Sequence, residues 1–142
     1  MVDDSILLKS MYKNNQIIIN NIENVLPKIK YYNLKKVLKL QVMEYNKINK
    51  EINDCVKNYD IKNINGNSFI KLFNVIKTDL IMLKKESSKK IAKNILDNTN
   101  NVLIKVLVIN NKYVGLENRT IELVKKYRIV LENSVYELKK YI

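Results

Sequence analysis

The 142-residue chain contains no histidine and has only one proline and two glycines. Without histidine, neither a Ser-His nor a Cys-His catalytic pair can form. The two glycines, Gly66 and Gly115, are isolated, so the chain has no glycine-rich phosphate-binding loop. The sequence therefore predicts that the protein is not an enzyme.

The chain also lacks a second cysteine and any long apolar run. Cys55 cannot close an internal disulfide, and its place on an apolar stripe favours a core residue over a nucleophile. The first five residues, MVDDS, are acidic where a signal peptide is basic. The apolar runs at 17–19 and 102–109 are shorter than the roughly 18 residues that span a bilayer. We predict a cytoplasmic protein with no transmembrane insertion.

Scarce turn-forming residues determine the predicted fold class. Hydrophobic residues make up 46% of the chain, and with so few glycines and prolines this composition disfavours many strands and favours a few long helices. A chain of this length is suited to one domain, residues 1–142. The predicted fold class is all-α.

Apolar residues recur at three- and four-residue steps in several segments. Helix one is predicted at 5–26, where Pro27 ends or kinks it. Helix two carries a stripe over 34–59 that includes Val37, Tyr45 and Cys55. The last helix covers 117–140 and is predicted to bury Ile121 and Tyr127. The pattern over 68–110 allows one kinked helix or two helices, with a shorter one first. Residues 60–67 and 110–115 are predicted as a loop and a turn, with Gly115 suited to a left-handed conformation.

The order of the segments resembles a known family. Short turns join helices one and two and helices three and four, while residues 60–87 form a long connection, as in ferritin-like bundles. The stretches VLP at 25–27, YNLKKVL at 32–38 and YNKINKEI at 45–52 resemble the helical hairpin of small ferritin-like proteins, including those of the spore-coat type. The resemblance implies a ferritin-like four-helix bundle with a long, partly helical connection between helices two and three.

The stretch LKLQVMEYNKI at 38–48 raises the question of a metal site. A ferritin-like di-metal site takes a carboxylate from each of two helices and a Glu-x-x-His pair from each of the other two. Here Gln41 is neutral and Glu44 stands where histidine would be. We predict no metal and no cofactor. We interpret Asn15, Gln41 and Asn98 as an inward polar layer whose amides bond one another and fix the helix register.

The formal charge of +12 comes almost entirely from lysine. Joint enrichment in lysine, asparagine, isoleucine and tyrosine is typical of an AT-rich genome, so the charge alone says little about a ligand. One possible polyanion-binding segment contains Lys84, Lys85, Lys89, Lys90 and Lys93. Three of these lysines would line one helix face, a spacing able to follow phosphates. No aromatic or arginine residue is interleaved with them, which disfavours contact with bases.

Three functions stay open at this point. The favoured one is a structural or protein-interaction module that binds a protein partner or self-associates, for example in an assembly such as a spore coat. The alternative is a non-specific nucleic-acid or anionic-surface binder using the lysine-rich face. The third is a degenerate metalloprotein using Glu44, Asp97 and other acids. An exposed cluster of the tyrosines near helix ends would mark a protein interface. These tyrosines are Tyr12, Tyr31, Tyr32, Tyr113 and Tyr141.

Overall fold

The computed structural model describes residues 4–57, 88–112 and 115–142. Within these ranges the chain forms a bundle of four α-helices and contains no strand. The helices are α1 (Asp4–Val25), α2 (Tyr32–Val56), α3 (Ser88–Lys112) and α4 (Asn118–Leu138). Short 3-10 turns follow α1 at Leu26–Lys28 and α4 at Lys139–Tyr141. The all-α prediction is confirmed for this part of the chain.

Two special residues set the turns inside the helical hairpins. Pro27 lies in the 3-10 turn after α1, where its missing N–H costs no helical hydrogen bond, so the predicted end of helix one is confirmed. Gly115 has a φ of +92°, which confirms the predicted left-handed conformation before α4. Asn110 and Asn111 are predicted in this turn, but α3 continues to Lys112 and both residues are helical.

Side-chain bonds between α2 and α4 show that these helices are antiparallel. The hydroxyl of Tyr45 bonds to Ser134, while Glu51 pairs with Lys126. Residue numbers therefore rise along α2 as they fall along α4. The α1–α2 and α3–α4 pairs are likewise antiparallel, because each pair packs together across a short turn.

The remaining contacts fix the two ends of the bundle. Asp4, at the start of α1, accepts a hydrogen bond from the backbone N–H of Glu117, just before α4. At the opposite end the ring of Tyr31 meets that of Tyr141. Since α4 is antiparallel to both α2 and α3, those two helices are parallel to each other. The end of α2 and the start of α3 therefore lie at opposite ends of the bundle.

The apolar stripes form one core between the helices. Nearly all predicted core positions in the described ranges are buried, including Cys55 and the fully enclosed Tyr45 and Tyr127. Val37 and Ile121 are half-buried. The predicted shorter helix at 69–83 and the predicted connection at 60–87 lie outside the described residues. In the part of the chain that is described, no helix is both long and apolar enough to cross a membrane.

Candidate functional site

A cluster of hydroxyl and amide groups lies in the interior between α2 and α4. The Tyr45 hydroxyl donates to Ser134 Oγ over 3.1 Å, and Ser134 Oγ donates to the Val130 carbonyl over 2.9 Å. Gln41 Nε2 lies 3.5 Å from the Ser134 carbonyl oxygen, which is long for a hydrogen bond. Gln41, the polar residue that the sequence singled out in helix two, thus faces the neighbouring helix α4.

Two buried phenols accompany this cluster. Burial raises the pKa of Tyr45 to about 12, while hydrogen bonds with Ser134 and Thr99 act in the opposite direction. The hydroxyl of Tyr127 is buried without a hydrogen-bond partner. Burial, and then the proximity of Tyr45, raises the pKa of Tyr127 well above its ordinary value. Both phenols are therefore neutral at physiological pH.

The predicted inward polar layer is arranged differently from the expectation. Asn15 is buried and donates through Nδ2 to Asn49 Oδ1 over 3.0 Å, which joins α1 to α2. Gln41 is also buried, whereas Asn98 is half-buried with an enclosed Nδ2 that has no partner. The expected bonds among these three amides are not formed, because Asn15 and Gln41 each reach only the helix beside them and Asn98 Nδ2 has no partner. No pattern in the sequence indicates that Asn49 and Ser134 would be the partners.

The acidic residues considered for metal binding lie at the surface. Glu44 is exposed and pairs with Lys47 at 3.2 Å, while Asp97 is exposed on α3. In residues 4–57, 88–112 and 115–142, no three side chains of histidine, cysteine, aspartate or glutamate converge as possible metal ligands. The Gln41-x-x-Glu44 pair therefore has one side chain turned inward and one turned to solvent.

A groove of about 190 Å³ opens between α2 and α4, outside the polar cluster. Val37, Leu40 and Val130 form apolar walls, and the buried Gln41 and Ser134 are also part of the lining. The Gln41 Oε1 atom is enclosed and has no hydrogen-bond partner. The residues of LKLQVMEYNKI that first raised the question of a metal site thus line a surface groove.

Comparison with family models, curated proteins and solved structures finds no match.

Large apolar side chains are exposed on the two helices that form this groove. Leu40 and Met43 on α2 are 52% and 55% exposed, and Ile129 on α4 is 50% exposed. We call the groove together with these three side chains the α2–α4 face. Charged pairs of both signs surround it, since Glu44 pairs with Lys47 and Glu137 pairs with Lys140. The face combines apolar contact surface with positive and negative charges.

The predicted polyanion-binding lysines are only partly described. Lys84 and Lys85 lie outside the described residues. Lys89, Lys90 and Lys93 are exposed in the first two turns of α3. Lys90 and Lys93 also line a shallow depression of about 260 Å³ with Asn94 and Asp97.

Proposed function

We propose that the chain is a ferritin-like four-helix bundle without metal chemistry that acts as a structural module by binding a second copy of itself. The helix directions support the ferritin-like part of this proposal. Two antiparallel hairpins with α2 parallel to α3 require the chain between 57 and 88 to join opposite ends of the bundle. One such long connection distinguishes the ferritin-like arrangement from a simple up-and-down bundle.

The observation that carries the interaction function is the α2–α4 face. Leu40, Met43 and Ile129 are each about half exposed on these two helices, and Leu40 lines a groove with apolar walls. Single exposed apolar residues are normal on a protein surface, but several on the two helices that form one concave site are typical of an interface. Covering them would remove apolar surface from water and seat a side chain in the groove.

The charges around the face favour a second copy as the partner. A two-fold interface places the same patch against itself, so it must be complementary to its own charges. Glu44 lies beside Lys47, and Glu137 lies beside Lys140. Each carboxylate can therefore meet an ammonium group of the other copy. A partner of one charge sign would match only half of these groups.

Replacing Leu40 with lysine tests the proposal. The exposed half of this side chain contributes about 1 kcal/mol per copy when it is buried, so the two copies together lose about 2 kcal/mol. That loss weakens dimerisation roughly 30-fold. Sedimentation equilibrium should show the wild-type chain as a dimer at tens of micromolar and Leu40→Lys largely as a monomer. Circular dichroism should show the same helix content for both.

Ile104→Lys is the matched control. Ile104 is 51% exposed, nearly the same as Leu40, but it lies on α3, away from the α2–α4 face. This variant should dimerise like the wild type. Equal weakening by both substitutions would mean that the α2–α4 face is not the interface. A wild-type chain that stays monomeric at millimolar concentration would refute self-association.

A further inference from the structure

The end of the bundle near Tyr141 brings together residues that are far apart in the sequence. The rings of Tyr31 and Tyr141 meet edge to face with centroids 5.8 Å apart. The Lys139–Tyr141 turn packs against α3, so the exposed Lys89 near the start of α3 belongs to the same end. We call residues 23–36, 88–93 and 136–142 the tyrosine end.

The tyrosine end is strongly positive, whereas the opposite end is not. It carries nine lysines against two acidic residues, Glu23 and Glu137. The lysines are Lys28, Lys30, Lys35, Lys36, Lys89, Lys90, Lys93, Lys139 and Lys140. The opposite end, at 4–9, 50–57, 107–112 and 115–122, has five basic and five acidic residues. Among the described residues, positive charge is therefore concentrated at one end, where it raises the local concentration of anionic ligands.

Exposed aromatic rings accompany this charge. Tyr32 is 73% exposed and Tyr31 is 53% exposed at the start of α2. Near the end of α4, Tyr136 is 65% exposed and has Lys140 Nζ 4.8 Å from its ring centroid. Flat rings beside ammonium groups can bind a base by stacking and its phosphate by charge. The sequence disfavours base contact because no aromatic residue lies within 84–93, but folding places tyrosines at the same end of the bundle as Lys89, Lys90 and Lys93.

We propose that the tyrosine end binds single-stranded nucleic acid. Bases stack on Tyr31 and Tyr32, while Lys30, Lys89 and Lys139 contact the phosphates. Stacking requires unpaired bases, so a duplex would use the lysines alone. A membrane surface fits less well, because membrane-bound helices insert large apolar side chains. Ile142 is the one large aliphatic side chain exposed within the ranges that define this end. This proposal does not depend on self-association through the α2–α4 face.

Fluorescence anisotropy with a labelled 20-nucleotide oligo-dT tests the proposal. Tyr32→Leu keeps an apolar side chain but removes the ring, and it should weaken binding about 5- to 150-fold. Lys30→Gln, Lys89→Gln and Lys139→Gln together should reduce the slope of log K against log salt by about 2, because each lost phosphate contact contributes about 0.7. Both results are expected with unchanged circular dichroism.

The matched control replaces three exposed lysines elsewhere, Lys13, Lys50 and Lys125, with glutamine. It changes the net charge equally, but it should leave the salt slope close to that of the wild type. Leu40→Lys should also bind the oligonucleotide normally, which separates this proposal from self-association. An equal loss of slope in both triple variants would show diffuse charge attraction and overturn the proposal.

Two competing ligands complete the test. A dA20·dT20 duplex should bind more weakly than the single strand, and its binding should be insensitive to Tyr32→Leu. Vesicles of phosphatidylcholine with about 30% phosphatidylserine should leave the protein in the supernatant at ~0.15 M salt, where surface charge is screened. If the protein co-sediments with vesicles and does not bind oligo-dT, the ligand of the tyrosine end is a membrane surface and not nucleic acid. Equal binding of duplex and single strand would contradict the stacking role.

Discussion

Removing one phenolic oxygen from each buried tyrosine should have opposite effects on stability. Tyr45 and Tyr127 are both completely enclosed, so the two substitutions to phenylalanine are chemically the same and leave the ring packing in place. Only the hydrogen bonding differs. The Tyr45 hydroxyl donates to Ser134, whereas the Tyr127 hydroxyl has no partner.

The magnitudes follow from the cost of buried polar groups. Tyr45→Phe loses a hydrogen bond worth about 1 kcal/mol net, although Ser134 keeps its own bond to the Val130 carbonyl. Tyr127→Phe removes a buried hydroxyl whose lack of a partner costs about 1–3 kcal/mol. Part of that gain is offset by the small void that the oxygen leaves. We expect Tyr127→Phe to stabilise the fold by about 1 kcal/mol, so the two variants should differ by about 2 kcal/mol.

Urea denaturation at pH 7 measures this difference directly. The midpoint should fall for Tyr45→Phe and rise for Tyr127→Phe, with similar slopes, because a midpoint change at constant slope reports stability. A Tyr127→Phe variant that is destabilised as much as Tyr45→Phe would show that its hydroxyl is bonded in the folded protein. The reasoning from the unpartnered oxygen would then be wrong.

Three further predictions concern the same interior and one turn. Because the pKa of Tyr45 is raised from 10.0 to about 12, its neutral form stabilises the fold below pH 10. That contribution is lost as pH rises from 10 through 12, so Tyr45 should lower the free energy of unfolding by about 1.4 kcal/mol between pH 8 and pH 11, as measured by urea titrations. If the free energy of unfolding of Tyr45→Phe falls by as much as that of the wild type, this assignment is contradicted. Asn15→Leu should lower the free energy of unfolding by about 1–3 kcal/mol, because it leaves Asn49 unpaired. Adding Asn49→Leu should recover much of that stability, and additive losses in a double-mutant cycle would disprove this coupling. Gly115→Ala should cost about 1 kcal/mol in thermal denaturation through its positive φ alone, since no atom lies within 4 Å of the added Cβ; an unchanged melting temperature would contradict the left-handed turn.

The helices and most of the core could be predicted because they depend on local periodicity. Helix one was expected over 5–26 and is found at Asp4–Val25, since Pro27 fixes its end. The spacing of apolar residues also placed Tyr45, Tyr127 and Cys55 in the interior, where they are buried. A stripe at a period of 3.6 residues needs only the sequence to be recognised.

The partners of interior polar groups could not be predicted in this way. Which amide meets Asn15 depends on the packing order and relative height of the helices, and these follow from contacts between distant segments. The same limit applies to Tyr31 and Lys89, which share one end of the bundle although 57 other residues separate them in the sequence. Periodicity gives the face of a residue on its own helix, but not the residues opposite that face.

The sequence separation of the contacts between helices also sets the order in which this fold can form. Each hairpin closes across a short turn, whereas the bonds joining the hairpins link residues from 75 to 113 positions apart. Local contacts form early, while distant ones must first overcome the entropy of closing a long loop. We therefore expect two helical hairpins to form first and the docking of α2 against α4 to limit the rate. A chain cut between 57 and 88 would keep each hairpin whole, so its two fragments should reassemble when mixed.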